Sequence, residues 1–273
     1  SPIALAPAGY KVDGNVIYGP LPAQRLDVLY PDGAGPGGSQ LLPGVIFFHG
    51  GGWTGSDKTG APFWLERYLK HGFVVATVEY RRADGSSTGA IAPAAVEDAL
   101  LAAKWFWDHL DYYHVDRTKY VTSGGSAGGH LALMVGMATA AAQAGPVNPT
   151  DFRIAAIVNG YGPTDVADLI KRNISFAIKW LPANTPNRDA IAARMSPMTY
   201  VRKDIPPLLT VQGDGDPTVP VDQNQKLFTA LKAVGAEVGL HLVAGAGHGF
   251  TNSSWPEAEK AVFDFLTSHG IGK

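Results

Sequence analysis

The sequence predicts an α/β fold: a mostly parallel, doubly wound sheet of about eight strands flanked by helices. Two observations carry this expectation. Short apolar runs rich in β-branched and aromatic residues recur between longer segments of helical periodicity. The runs are also apolar at consecutive positions, as in Val45-Ile46-Phe47-Phe48, and do not alternate. That is the pattern of a strand covered on both faces.

In chain order, residues 12–18 and 25–30 read as two strands joined by a turn around Pro20 and Pro22, extending one edge of the sheet. Residues 31–38, rich in glycine and proline, form a loop. The parallel strands are expected at 45–49, 73–80, 119–123, 154–159, 208–212 and 238–243. Helical periodicity covers 92–111, 129–144, 222–234 and 256–269, and Gly235 stops the third of these helices. Residues 1–273 are read as one domain. The segment 160–206, with several prolines and Trp180, separates two strands that a simple crossover could have joined. It reads as a lid-like insertion over the C-terminal edge of the sheet, where open α/β sheets bind ligands.

Bulk properties exclude several function classes. The 273 residues are 45% hydrophobic and 17% charged with a formal net charge of −2, which describes an ordinary globular protein and not a disordered or nucleic-acid-binding one. The absence of cysteine removes disulfides, thiolate catalysis and cysteine-ligated metals. The longest apolar stretch, 131–142, is interrupted by Gly136 and too short to span a bilayer, and no N-terminal run resembles a signal sequence, so a soluble chain without a membrane partner is expected. Numbering from Ser1 without a methionine is compatible with a secreted or periplasmic protein; the other expectation is a cytoplasmic one. Nothing in the sequence fixes an oligomeric state.

The chemistry centres on Gly124-Gly125-Ser126-Ala127-Gly128, directly after an expected strand and before an apolar helix. A sharp strand-to-helix turn exposes the serine hydroxyl at the top of the sheet, at a helix N-terminus that favours a developing oxyanion. A capping serine at a glycine-rich helix start is the plainer reading, and the strand–turn–helix context argues against it. A second glycine run, His49-Gly50-Gly51-Gly52-Trp53, follows the 45–49 strand. Its Gly51 and Gly52 amides, with that of Ala127, are the candidate oxyanion donors. His49 reads as a loop-shaping residue.

Of eight histidines, His248 lies in a glycine-flanked loop after the last strand, where it can reach the serine; His71, His109, His114 and His269 lie near helix ends, His130 in the helix after Ser126, and His241 inside a strand. Two aspartates of Gly213-Asp214-Gly215-Asp216 compete for the acid. Asp214 is near the strand end and suited to bracing the turn, whereas Asp216 lies further out and is better placed to approach His248. One such pair is a poor metal site, so neither metal nor cofactor is expected. Trp53, Tyr161, Trp180 and Phe250 lie in loops near the site and are candidates for an aromatic wall, with plain packing an equal alternative; Trp64 and Trp105 read as core.

The segments His-Gly-Gly-Gly-Trp, Gly-Gly-Ser-Ala-Gly-Gly-His-Leu-Ala, Gly-Asp-Gly-Asp-Pro-Thr-Val-Pro and Gly-His-Gly-Phe, in this order, resemble the esterase branch of the α/β-hydrolases that includes the hormone-sensitive-lipase-like enzymes. The closer likeness is to bacterial carbohydrate esterases of the acetyl xylan and feruloyl esterase kind, over about residues 26–265. The resemblance implies Asp216 as the triad acid. One departure is that only 48 residues precede His49, so a large N-terminal cap is not expected. Tyr80-Arg81 and Asp98 also fit the family pattern and read as a structural ion pair. The implied function is a carboxylesterase with a Ser126–His248–Asp216 triad, acting on a small-molecule or polysaccharide-borne ester of short acyl or feruloyl type. An amidase or peptidase of the same layout, and a catalytically silent binding module, are the alternatives; the presence of every triad residue type speaks against the second.

Overall fold

The continuous apolar runs become the strands of one sheet in the computed structural model, which describes residues 1–273. The strands are β1 (Tyr10–Ile17), β2 (Arg25–Pro31), β3 (Leu42–Phe48), β4 (Val74–Val78), β5 (Val115–Gly125), β6 (Ala156–Gly160), β7 (Leu208–Gly213) and β8 (Val238–Val243). They are ordered β1-β2-β4-β3-β5-β6-β7-β8. Only β2 runs against the rest, pairing antiparallel with β1 and β4. Every residue of β3, β4, β6 and β7 is buried, which accounts for their largely apolar sequences.

Helices α1 (Pro62–Lys70) and α8 (Trp255–Ser268) cover one face. Helices α2 (Ala94–His109), α3 (Ala127–Met137) and α7 (Val221–Ala233) cover the other. Register places the strand ends together: Phe48 of β3 lies opposite Gly124 of β5, and Gly125 opposite Gly160 of β6. The loops that follow β3, β5 and β6 therefore meet at one point. The Arg81 and Asp98 pair ties the β4 edge to α2, with the buried Asp98 carboxylate accepting from the Arg81 amide at 2.8 Å and from Arg81 Nη2 at 2.8 Å.

One expected helix changes, and two other segments gain definition. The helix expected at 129–144 is α3, which begins at Ala127 and ends at Met137, because Ala138 turns extended and Thr139 caps a separate 3-10 turn at Ala140–Ala142. Helix α1 was not among the expected helical segments; it starts on Pro62, which suits a first helical turn, and carries Arg67 and Lys70 in its last. The 160–206 segment holds three short helices, α4 (Val166–Lys171), α5 (Ser175–Trp180) and α6 (Arg188–Arg194), packed on the α3 side through Leu169, Trp180 and Met195. No helix is long and apolar enough to cross a membrane.

Candidate active site

Ser126 joins β5 to α3 with φ 59° and ψ −124°. For a residue with a side chain this conformation costs about 1–3 kcal/mol and persists only where the surroundings fix it. The neighbouring glycines allow it. A Cβ at Gly128 would overlap the Phe48 carbonyl, and one at Gly124 would overlap the Gly128 carbonyl. The Ser126 amide donates to Gly160 O at 2.8 Å, anchoring the turn to β6.

Two loops bring partners to the serine. His248, on the β8–α8 loop, places Nε2 2.9 Å from Ser126 Oγ and Nδ1 2.8 Å from Asp216 Oδ2. The carboxylate accepts the Nδ1 proton, which leaves the Nε2 lone pair facing the hydroxyl. Asp216 also accepts from the Thr218 and Val219 amides at 2.8 and 3.0 Å and from Gln212 Nε2 at 3.1 Å. Burial alone would raise this carboxyl, but the hydrogen bonds from His248, the Thr218 amide and Gln212 outweigh it and hold the group below its usual range. Asp214 accepts from the Gly245 amide at 2.8 Å and so braces the loop that carries His248. Of the two aspartates, it is Asp216 that faces the imidazole.

Behind Asp216 lies a buried amide network that motif reading missed. Asn224 donates to Gln212 Oε1 and to the Gly162 carbonyl, both at 3.0 Å, and Asn159 donates to Asn224 Oδ1 at 2.9 Å. It links the acid loop to the turn after β6. A signal existed: Asn159 and Gln212 are polar residues within otherwise apolar strands, and buried polar groups of this kind are kept only when paired.

Gly51 and Gly52 adopt φ values of 105° and 60°, and neither amide donates to a backbone carbonyl. As the first residue of α3, Ala127 has no intrahelical acceptor for its own amide. Gly51 and Gly52 line the same cavity as Ser126. His49 is fully buried, stacked on Tyr80 at 4.3 Å, and donates from Nδ1 to Gly50 O at 2.7 Å; burial lowers its pKa to about 4. It is part of the frame of the loop.

The four candidate aromatics divide into two pairs. Tyr161 and Phe250 line a cavity of about 550 Å³ that contains Ser126 and His248. Trp53 and Trp180 do not, and this corrects their assignment to the aromatic wall: both are 0% exposed and stack on each other at 4.2 Å. Trp53 has φ 59° and donates from its indole to His130 Nδ1 at 3.1 Å, so its ring is directed into the core. Conversely Trp64, expected in the core, also lines the cavity, as do Phe63, Phe176 and Trp255, which sequence reasoning did not single out. Phe176 belongs to the 160–206 segment and packs against Gly52. No group of three or more His, Asp or Glu side chains is placed to hold a metal.

The sequence matches the BD-FAE family over residues 26–231. It is 31% identical over 245 residues to esterase LipC of Mycobacterium tuberculosis, covering 86% of this chain and 59% of LipC. It is 24% identical to the isoprenylcysteine α-carbonyl methylesterase ICME of Arabidopsis thaliana, covering 87% of this chain and 56% of ICME. The chain thus spans somewhat under two thirds of the length of these relatives. Among solved structures, a truncated carbohydrate esterase from gut microbiota superposes with a TM-score of 0.79 at 24% identity, covering 97% of this chain and 99% of that one. Esterase 2 of Thermogutta terrifontis gives a TM-score of 0.78 at 23% identity, covering 97% and 94%. The fold is therefore that of the α/β-hydrolase esterases, and the chain belongs to the BD-FAE family.

Proposed function

We propose that the protein is a carboxylic-ester hydrolase working through a Ser126–His248–Asp216 triad and an acyl-enzyme. The observation that carries this reading is the continuous hydrogen-bond chain from Asp216 Oδ2 through His248 to Ser126 Oγ, at 2.8 and 2.9 Å. Ser126 Oγ attacks the ester carbonyl carbon as its proton passes to His248 Nε2. The carbonyl π pair moves onto oxygen, and the oxyanion is held by the amides of Ala127 and the Gly51/Gly52 loop. Collapse of the intermediate expels the alkoxide, which takes the proton from His248 and leaves the acyl group on Ser126. Water, deprotonated by His248, then repeats the attack and frees the acid and the serine. Asp216 keeps the imidazole in the required tautomer and stabilises its charged form.

The substrate we propose is a short acyl or feruloyl ester, free or borne by a plant polysaccharide. The esterase relatives support the ester class, and the open cavity, lined by Phe250 and by Phe63, which is 55% exposed, suits a sugar or aryl ring. Within this reading the chain works as one domain, with the 160–206 segment contributing Tyr161 and Phe176 to the wall. A panel of acetylated xylan, methyl ferulate and short aryl esters, set against formyl and aminoacyl amides, tests it. We expect turnover of at least one ester to exceed that of any amide by about 100-fold or more; the reverse preference would replace the esterase with an amidase.

A further inference from the structure

The Tyr161 hydroxyl is the buried polar group of the cavity that the reaction above leaves unused. The residue sits directly after β6 with φ 43°, a backbone conformation that a tyrosine adopts only where the surroundings hold it. Asn159, through Gly162, and the bond from the Tyr161 amide to Val211 O at 2.9 Å supply that hold. Only 8% of the residue is exposed. Its oxygen accepts from the Trp64 indole at 3.1 Å, but its own proton has no acceptor in the protein. The oxygen lies against the residue before the nucleophile, since a Cβ on Gly125 would fall 2.7 Å from it. The ring meets His248 edge-on at 5.0 Å. Burial, with the nearby Asp216 charge, outweighs the Trp64 hydrogen bond and pushes the phenol up to about 12, so the proton stays on at neutral pH.

We propose that the Tyr161 hydroxyl reads the substrate, donating to an ether, hydroxyl or oxo oxygen carried two or three bonds from the ester group. The cavity then favours oxygenated esters over aliphatic esters of the same length. The reasoning rests on the esterase reading. An aliphatic ester that covers Tyr161 strips the hydroxyl of water and offers nothing in return, and a buried donor left unpaired is what rejects an analogue lacking the matching group. The indole bond also strengthens the hydroxyl as a donor, because hydrogen bonds in a chain polarise one another.

The plain alternative is that the hydroxyl exists to satisfy the Trp64 indole, and variants separate the two. Two ester pairs each exchange one oxygen for a methylene: 4-nitrophenyl methoxyacetate against the butyrate on the acyl side, and 2-methoxyethyl acetate against butyl acetate on the alcohol side. The ratio of kcat/KM within each pair is measured for the native protein, Tyr161→Phe, Trp64→Phe and the double variant. Intrinsic reactivity cancels between variants. We expect the oxygenated-to-aliphatic ratio of one pair to fall about 3- to 10-fold on removing the hydroxyl, both from the native protein and from Trp64→Phe. The arm that responds identifies the side of the ester that is read. Ratios within about twofold in both arms overturn the proposal, and so does a fall confined to the native background, which assigns the effect to a stranded indole. Native protein that hydrolyses none of the four esters removes the underlying esterase reading as well.

Discussion

Two aromatic clusters flank the Ser126 turn, built from similar residues and put to different use. On the α3 side, Trp53, His130 and Trp180 are sealed: the Trp53 indole donates to His130 Nδ1, His130 Nε2 donates to Met195 O at 2.7 Å, and all three side chains are fully buried. On the α1 and α8 side, Trp64, Tyr161, Phe250 and Trp255 pack edge to face yet border the cavity. The first cluster binds the glycine loop, the helix after the serine and the 160–206 segment into one body. The second borders the cavity with a hydroxyl whose proton has no acceptor in the protein. Residue type does not distinguish a frame from a wall; what the polar tips bond to, and what volume the rings face, does.

The largest expected effect separates frame from chemistry within a single loop. Asp216→Asn should lower kcat about 10⁴-fold by favouring the wrong imidazole tautomer, with stability little changed. Asp214→Asn, which weakens only a brace to the Gly245 amide, should cost about 1 kcal/mol of stability and leave kcat within a few-fold. Steady-state kinetics and urea unfolding of the two variants check this, and equal losses of kcat would return the choice of acid to Asp214.

The next effect breaks the sealed cluster. Trp53→Ala opens a cavity among buried side chains and strands His130 Nδ1, so denaturant unfolding should show a loss of about 3–5 kcal/mol. Phe250→Ala, on a half-buried ring of the other cluster, should cost about 1 kcal/mol and alter KM. Similar stability losses would erase the distinction between the clusters.

A smaller effect sharpens it. Burial lowers the pKa of His130 to about 4, as it does for His49. Because the folded values lie below the ordinary value near 6.5, the unfolded chain takes up protons first as the pH falls. The stabilisation is therefore complete above pH 6.5 and is lost between there and about pH 4. Each histidine should contribute roughly 2–3 kcal/mol to that loss, and urea midpoints measured from pH 7 to pH 4.5 should fall accordingly.

The sheet was legible in the sequence because its central strands are covered on both faces and so are apolar at most consecutive positions. The serine, aspartate and histidine that the structure brings together were legible because each lies in a loop at a strand end whose glycines mark a tight turn. The same reading failed for Trp53 and Trp180. Whether a loop tryptophan faces a cavity or the core depends on packing against residues distant in the chain, His130 and Met195 among them. Trp64 is core as expected, at 4% exposed, and its ring also borders the cavity because the glycines at 125 and 160 leave room for it. The Gln212–Asn224–Asn159 network has no local signature beyond polar residues within apolar strands and a helix.

The central claim is that Ser126 is the nucleophile. Its most direct test is treatment of the native protein with a fluorophosphonate, followed by peptide mass analysis, with Ser126→Ala as the control. The account predicts one phosphonyl adduct on the peptide carrying Ser126, loss of ester turnover in proportion to labelling, and neither adduct nor turnover in the folded Ser126→Ala variant. Labelling at another residue, or undiminished ester hydrolysis by Ser126→Ala, would contradict it.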